Sequence, residues 1–297
     1  MPTRVVQAVL ASRPVGAAWR ACTRGSLRVL AYHSVGDVDR FEAQLQHLIR
    51  HYSPVGSAQV LRWLHDGAPL PPMAVWVTFD DGVEDVVRLG LPLLQRYRVP
   101  ATLFVCPGLI DTDRLHWWEA VERAGSQGLL PSTADELRAL KALDDTDRRR
   151  AVAAIEDRLR ATPAGATGAQ LTTVDLRAWL AAGNDLGNHS LDHPRLDRCS
   201  PGEQEQQVRR AHDWLTGFLG APPVLFAWPN GDAAEPALAV LRSLGYRAVL
   251  VCDHRLTRRG ADPMALSRVR IDADDSVPRL RSVVSGAHPG VFALTRR

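Results

Sequence analysis

The sequence has few cysteines, and none of them are closely spaced. Its four cysteines are Cys22, Cys106, Cys199 and Cys252, and no Cys-x-x-Cys motif is present. This spacing excludes a zinc–thiolate site and indicates no disulfide framework. Because free cysteines are typical of a reducing compartment, we expect a cytoplasmic protein.

Long apolar runs and a strong excess of one charge are also absent. Pro14 and Gly16 interrupt the apolar stretches near the N terminus, so no stretch there has the length of a signal-peptide core or a transmembrane helix. The formal net charge is only +3, so the sequence does not indicate a basic surface for binding nucleic acid. No feature of the sequence indicates a partner protein.

The N-terminal segment is rich in arginine instead. Residues 1–28 contain five arginines and no acidic residue. A basic amphipathic helix could contact an anionic membrane surface, but the short apolar run favours a disordered arm. We therefore predict an N-terminal arm over residues 1–26, with peripheral contact at the inner face of the membrane as the alternative.

The rest of the chain alternates between strand and helix patterns. With 297 residues, of which 45% are hydrophobic, it can fill the core of one barrel-sized domain. The alternation predicts a parallel α/β sheet with right-handed crossovers. The seven predicted strands are residues 27–32, 75–79, 101–106, 184–188, 224–227, 246–251 and 266–271.

One long stretch lacks any strand pattern. Residues 134–140 and 148–160 are charged and helical in pattern, which predicts a helical insertion over about residues 114–170. A linker at residues 162–168 ends it. Trp117 and Trp118 stand at its start, and one of these rings could stack on a sugar, although such residues more often serve in packing.

Two adjacent carboxylates follow the second predicted strand. Asp80 and Asp81 come directly after a buried apolar run and are followed by Gly82, which permits a tight turn. Parallel α/β folds place their chemistry at the carboxyl ends of strands. Neighbouring side chains there point in different directions, so one acid can hold a metal while the other faces substrate. An ordinary Asp-Gly turn is the alternative.

Two histidines form a second cluster. His189 and His193 are four residues apart and can face one centre, and imidazole suits zinc and similar ions. Ser190 occupies the position at which the helical zincin motif has a glutamate. Pro194 disfavours a helical His193, so we place the pair on a loop after a short strand. Two histidines and one aspartate leave open metal positions, as catalytic sites do.

These clusters resemble two motifs of the polysaccharide deacetylases (carbohydrate esterase family 4). Residues 78–82, Thr-Phe-Asp-Asp-Gly, resemble the first motif of that family and residues 189–193 the second. Residues 226–231, Phe-Ala-Trp-Pro-Asn-Gly, are similar to the third motif of exopolysaccharide-type members. The resemblance implies a distorted, incomplete seven-stranded (β/α) barrel over residues 27–286, with a tail over residues 287–297.

The resemblance also implies an activity and a metal. Members remove N-acetyl groups from an amino sugar of a polysaccharide, an oligosaccharide or a lipid-linked glycan precursor. Asp81, His189 and His193 are the implied ligands of one divalent ion, with zinc expected and cobalt or nickel as alternatives. A small-molecule amidase or deformylase on the same fold and a catalytically inactive glycan-binding relative are the competing interpretations.

Catalytic roles follow from the same resemblance. Asp80 matches the family's base, and the backbone N–H of Asn230 matches its oxyanion hole, with Trp228 and Pro229 supporting that loop. Ser190 and Asp192 are interpreted as residues that shape the loop or support the ligands.

Three departures from the family pattern affect these roles. Ala227 stands where many members have an arginine that steadies the catalytic aspartate, and Arg268 could replace it. Asn230 replaces an aromatic residue. No Leu-x-His motif supplies the usual acid, so His33 is the predicted acid, and His288 lies in the predicted tail. A structural histidine at the barrel mouth is the alternative for His33.

Overall fold

The structure is a computed structural model that describes residues 19–162 and 170–287. Three predicted segments therefore lie partly outside the described residues. They are the N-terminal arm, the linker at residues 162–168 and the C-terminal tail with His288.

Nine strands form one sheet in which every pair of neighbouring strands is parallel. The strands are β1 (Arg28–Tyr32), β2 (Ser53–Pro54), β3 (Ala74–Phe79), β4 (Ala101–Val105), β5 (Asp185–Asn188), β6 (Leu225–Ala227), β7 (Ala248–Val251), β8 (Leu266–Ser267) and β9 (Val269–Arg270). Their order in the sheet is β8-β7-β6-β5-β4-β3-β1-β9, with β2 beside β3.

The sheet bends into a nearly closed barrel. Only Arg268 separates β8 from β9, yet β8 pairs with β7 while β9 pairs with β1. The short segment from β8 to β9 thereby connects β7 to β1 across the gap in the ring. Between β5 and β6 the pairing is reduced to Asn188 and Phe226, which distorts the ring. The predicted (β/α) barrel is confirmed, and each of the seven predicted strands occupies a position in it.

The details of two strands differ from prediction. The expected continuous strand over residues 266–271 is interrupted, because the backbone N–H of Arg268 bonds to Val251 while the next residue turns to pair with Leu30. The strand β2 was not predicted, since two residues are too short to show a periodic pattern.

Helices surround the barrel, and the described part contains none long and apolar enough to cross a membrane. A π-helical turn, Val86–Gly90, precedes the third helix. The helices are α1 (Val38–His51), α2 (Ser57–His65), α3 (Leu91–Tyr97), α4 (Trp117–Ser126), α5 (Thr133–Ala142), α6 (Asp145–Arg160), α7 (Thr173–Ala181), α8 (Pro201–Leu219), α9 (Glu235–Ser243) and α10 (Val277–Val284).

Large apolar side chains fill the barrel interior. Trp76, Phe104, Ala227 and Leu250 come from four different strands and belong to one buried cluster. The indole N–H of Trp76 donates to the Thr102 hydroxyl at 3.0 Å, so this ring is buried without an unpaired donor. Because the interior is packed, the polar residues that follow the strands are confined to the barrel mouth.

The predicted insertion is helical in its described part, which holds α4, α5 and α6 and no strand. These helices share a buried cluster of their own that includes Val121, Leu140 and Ile155. Such a cluster gives the insertion a core separate from that of the barrel. The domain limits themselves stay predictions.

Candidate active site

The predicted metal ligands lie together at the carboxyl ends of their strands. Asp81 follows β3, and His189 and His193 follow β5. The Asp81 Oδ1 atom lies 3.3 Å from His189 Nε2 and 3.1 Å from His193 Nε2. Two ligand atoms on one tetrahedral zinc ion are about 3.3 Å apart, given bonds of about 2.0–2.1 Å. These two distances fit ligands of one ion, and all three candidate ligand atoms lie within 4.8 Å of one another.

The hydrogen bonds of these side chains also fit an ion. His189 Nδ1 lies 2.8 Å from the carbonyl oxygen of Ala227, to which it donates, so in the neutral ring Nε2 carries a lone pair. Asp81 Oδ1 is buried and has no hydrogen-bond partner among the residues that the structure describes. A cation placed between these buried atoms would satisfy their lone pairs.

Burial and the neighbouring carboxylates shift the pKa values of the two histidines in opposite directions. Burial opposes the charged form of His189, but the carboxylates of Asp80 and Asp81 outweigh it and raise its pKa. Burial lowers the pKa of His193 to about 4, although Asp81 opposes this. The carboxylates of Asp80 and Asp81 therefore favour positive charge at His189, which is the sign of charge that a divalent ion would supply.

Four residues of the site have left-handed backbone conformations. Asp81, Ser190, His193 and Asn230 have φ angles of 73°, 67°, 58° and 59°. Such angles are uncommon outside glycine and cluster at functional sites, where the surroundings hold them. The sequence indicates the turn at Gly82, whose φ is 82°, but not the conformations of these four residues.

Asp80 is paired with a buried arginine. Arg268 Nη1 lies 2.7 Å from Asp80 Oδ1, and both side chains are at most 5% exposed. Burial alone would raise the pKa of Asp80, but Arg268 and then His189 lower it below its usual value. Asp80 is therefore an ionised carboxylate. Arg268 contacts Asp80 from its position between β8 and β9. This contact is the one expected if Arg268 replaces the arginine that many family members have at the position of Ala227.

The second oxygen of Asp80 faces the metal ligands. Asp80 Oδ2 lies 4.0 Å from His189 Nε2, whereas Oδ1 is bound to Arg268. One oxygen of this carboxylate is therefore fixed, and the other is directed towards the place where an ion and its water would lie. Its role as base stays a prediction.

His33 is at the same end of the barrel. It directly follows β1 and, like Asp80 and Asp81, lines a cavity of about 480 Å³. Within the described part of the chain its buried Nδ1 has no hydrogen-bond partner. No described group therefore competes with a substrate for this nitrogen.

Of the residues in the third motif, Asn230 lines the cavity, whereas Trp228 and Pro229 are buried. Asn230 is exposed and lines the cavity. Pro229 is buried, and the Trp228 ring packs 5.2 Å from Phe226 in a hydrophobic cluster. The burial of Trp228 and Pro229 supports packing beneath the loop as their role.

The insertion supplies a wall of the cavity, which the sequence only partly indicates. Trp118 lines it and lies 4.6 Å from the His193 ring, edge to face. Glu122 and Lys141 line it as well. The tryptophan pair was singled out in the sequence, but exposed charged residues on helices give no such signal, because they normally face solvent.

One aspartate and two histidines that leave coordination positions free, beside an ionised carboxylate, form the arrangement used by metal-dependent hydrolases. Residues 67–249, more than half of the chain, match the family model described as polysaccharide deacetylase. The chain belongs to this family. The resemblance seen in the sequence is thereby confirmed.

Two groups of curated relatives share the name poly-beta-1,6-N-acetyl-D-glucosamine N-deacetylase. The protein of Escherichia coli strain K12 is 25% identical over 214 residues, which cover 66% of this chain and 27% of the relative. The protein of Staphylococcus aureus strain N315 is 27% identical over 77 residues, which cover 26% of this chain and 27% of the relative. The chain thus spans about a quarter of the length of the curated relatives that it matches.

Solved structures show the same fold. The Streptococcus pyogenes deacetylase PplD in complex with acetate has a TM-score of 0.63 at 20% identity, covering 87% of this chain and 98% of the other. IcaB from Ammonifex degensii has a TM-score of 0.62 at 20% identity, covering 88% and 97%. At this identity the likeness concerns the fold alone.

Proposed function

We propose that this protein is a metal-dependent deacetylase that removes N-acetyl groups from an amino sugar of a polysaccharide, an oligosaccharide or a lipid-linked glycan. The observation that carries the proposal is the convergence of Asp81, His189 and His193 beside the ionised Asp80 in one cavity. The relatives named for poly-beta-1,6-N-acetyl-D-glucosamine support the substrate class.

The ligand set suits zinc, with cobalt or nickel as alternatives. Imidazole nitrogen and carboxylate oxygen are common zinc ligands, and three protein ligands leave room for water or substrate. An ion held there would polarise the acetamide carbonyl and lower the pKa of water from 15.7 towards about 7.

The residues around the ligands would carry the proton transfers. Asp80, with Oδ1 fixed by Arg268, would take a proton from the attacking water on Oδ2. The backbone N–H of Asn230 would donate to the acetyl oxygen as negative charge develops. His33 would protonate the amine as the carbon–nitrogen bond breaks. The products are acetate and a free amino sugar.

The insertion favours a glycan over a small amide. Its residues Trp118, Glu122 and Lys141 extend the cavity beyond the metal ligands. An aromatic ring with neighbouring charged groups can stack on one sugar face and bond to its hydroxyls. A small amide has no sugar ring and no sugar hydroxyls for this wall to contact.

Location and partners belong to the proposal too. All four cysteines are free, which is compatible with a reducing compartment, and we propose a cytoplasmic protein. Contact of the arginine-rich arm with the inner face of the membrane is the alternative. The proposal includes no nucleic acid and no partner protein.

The proposed activity can be tested by measuring acetate release. The substrates are N-acetylated oligosaccharides of increasing length, lipid-linked N-acetyl sugars, acetamide and N-formyl amino acids, each with added Zn²⁺ and after chelation. We expect release from the glycans that the chelator abolishes and Zn²⁺ restores. Hydrolysis of the small amides alone would indicate an amidase, and glycan binding without hydrolysis under all conditions an inactive relative.

His33→Ala is expected to lower kcat about 100-fold or more, with unchanged metal content, because the departing amine would lose its proton donor. The measurement is kcat on the best glycan together with metal analysis. His65→Ala is a matched control, since this exposed histidine bonds to Arg247 at the opposite ends of the strands. A near-normal rate for His33→Ala with a severe loss for His288→Ala would transfer the role to the C-terminal tail.

A further inference from the structure

The two histidine ligands are held in different ways. His189 Nδ1 donates to the Ala227 carbonyl at 2.8 Å, which fixes its ring. His193 Nδ1 is buried without a hydrogen-bond partner in the described part of the chain. Histidines that bind metals are usually oriented through their second nitrogen. The orientation of His193 must therefore come from its backbone and from side-chain packing.

That backbone belongs to a constrained loop. Ser190 and His193 have φ angles of 67° and 58°, which cost free energy and persist only where surrounding contacts impose them. The backbone N–H of His193 donates to the hydroxyl oxygen of Ser190 at 3.2 Å. Of the two residues between them, Asp192 is the one whose side chain forms hydrogen bonds.

Asp192 is bound by an arginine of the insertion. Arg149 on α6 donates Nη1 to Asp192 Oδ2 at 2.8 Å and Nη2 to Oδ1 at 2.9 Å. The same guanidinium donates Nε to the buried Asp145 at 2.5 Å, so it is fixed on both sides. Bidentate pairs of this kind define position as well as energy. From α8, Gln207 also donates to Asp192 Oδ1, at 2.8 Å.

The ring of His193 packs against the insertion as well. The Trp118 ring lies 4.6 Å from it at an interplanar angle of 70°, and His116, which stacks on Trp118 at 4.4 Å, lies 6.1 Å from the His193 ring. Both the backbone and the ring of this ligand are thus supported by residues that lie outside the barrel strands.

We infer that Arg149 is a positioning residue which, through Asp192, holds His193 in the geometry needed to bind the metal, so that the helical insertion sets the metal affinity of the barrel site. The inference rests on the proposed metal site. It concerns the free energy of metal binding rather than the chemical step.

The test is a Zn²⁺ titration of the metal-free protein in competition with a chromogenic chelator, with Co²⁺ absorption spectra as a second readout. Arg149→Ala is expected to weaken Zn²⁺ binding about 10–100-fold, the range found when residues behind metal ligands are changed. Arg149→Lys, which keeps the charge but only one bond, should fall between Arg149→Ala and the wild type. The metal-free melting temperature of Asp192→Asn, which leaves the pair of Arg149 with the buried Asp145 in place, should stay close to that of the wild type.

Arg150→Ala is the matched control, because Arg150 is the next residue on α6 and pairs only locally, with the exposed Asp147. Asp192→Asn should resemble Arg149→Ala, and the double variant should be little worse than either, since both remove one interaction. Additive losses, or Zn²⁺ affinity within twofold of wild type in Arg149→Ala, would refute the inference. A wild-type protein that binds no Zn²⁺ would instead refute the metal site itself.

Discussion

Asp80→Asn should keep its zinc and lose at least about 100-fold in kcat, which is the lower end of what a positioned base contributes. The amide is nearly the same shape as the carboxylate, so Arg268 and the metal ligands can stay in place. An amide cannot accept the proton of the attacking water. The rate of acetate release and the zinc content should be measured on the same preparation.

Asp81→Asn is the natural comparison for this variant. The two aspartates are adjacent and equally buried, but only Asp81 has its oxygen within 3.3 Å of both imidazoles. Asp81→Asn should therefore lose zinc as well as activity. If Asp80→Asn keeps more than about a tenth of the wild-type rate, Asp80 is not the base.

Arg268→Met is expected to have the next largest effect, on both stability and pH dependence. It leaves the buried carboxylate of Asp80 without its main partner, which costs about 3–5 kcal/mol. Arg268 is the main cause that lowers the pKa of Asp80, and burial alone raises it. In the variant the pKa of Asp80 therefore rises, so a larger fraction is protonated at low pH and cannot act as base.

The expected observation is an acid limb of the kcat profile that moves to higher pH, with activity recovering as the pH rises. Thermal unfolding of the same samples measures the stability loss. Arg268→Lys is the control, because it restores a positive charge without the geometry of the guanidinium. An unchanged acid limb in Arg268→Met would show that Arg268 does not set the ionisation of Asp80.

The strands, and the meeting of the candidate ligands at one end of the barrel, could be predicted from the sequence because both depend on local patterns. An apolar run that ends in Asp80 and Asp81 indicates a strand end, and strand ends in parallel sheets meet at one face. This rule brings His189 and His33 to the same cavity without any knowledge of contacts. Arg268 was identified by the same reasoning, from its place in a late strand.

The contribution of the insertion could not be predicted, since it depends on how the helices dock. Arg149 and Asp192 are 43 residues apart, and nothing local distinguishes Arg149 from Arg148 or Arg150. The side chain of Arg148 turns inward to the buried Asp145, whereas Arg150 pairs with an exposed residue of its own helix. Only the tertiary structure assigns these three neighbouring arginines different environments.

Trp228 shows that a sequence motif does not determine the direction of every side chain in it. Its place in a motif suggested a supporting residue of the site, but its ring lies in a hydrophobic cluster. A motif fixes the path of the backbone more firmly than the direction of each side chain. Asn230 accordingly lines the cavity, whereas Trp228, two residues earlier, packs in the core.

The most direct test of the metal centre is a crystal structure of the zinc-loaded protein, with anomalous diffraction recorded on both sides of the zinc absorption edge. The account predicts one zinc ion per chain, bound by an oxygen of Asp81 and by Nε2 of His189 and His193 at about 2.0–2.2 Å. Asp80 should be beside the ion and remain paired with Arg268. An anomalous peak elsewhere, or none in a protein that still releases acetate under excess chelator, would contradict it.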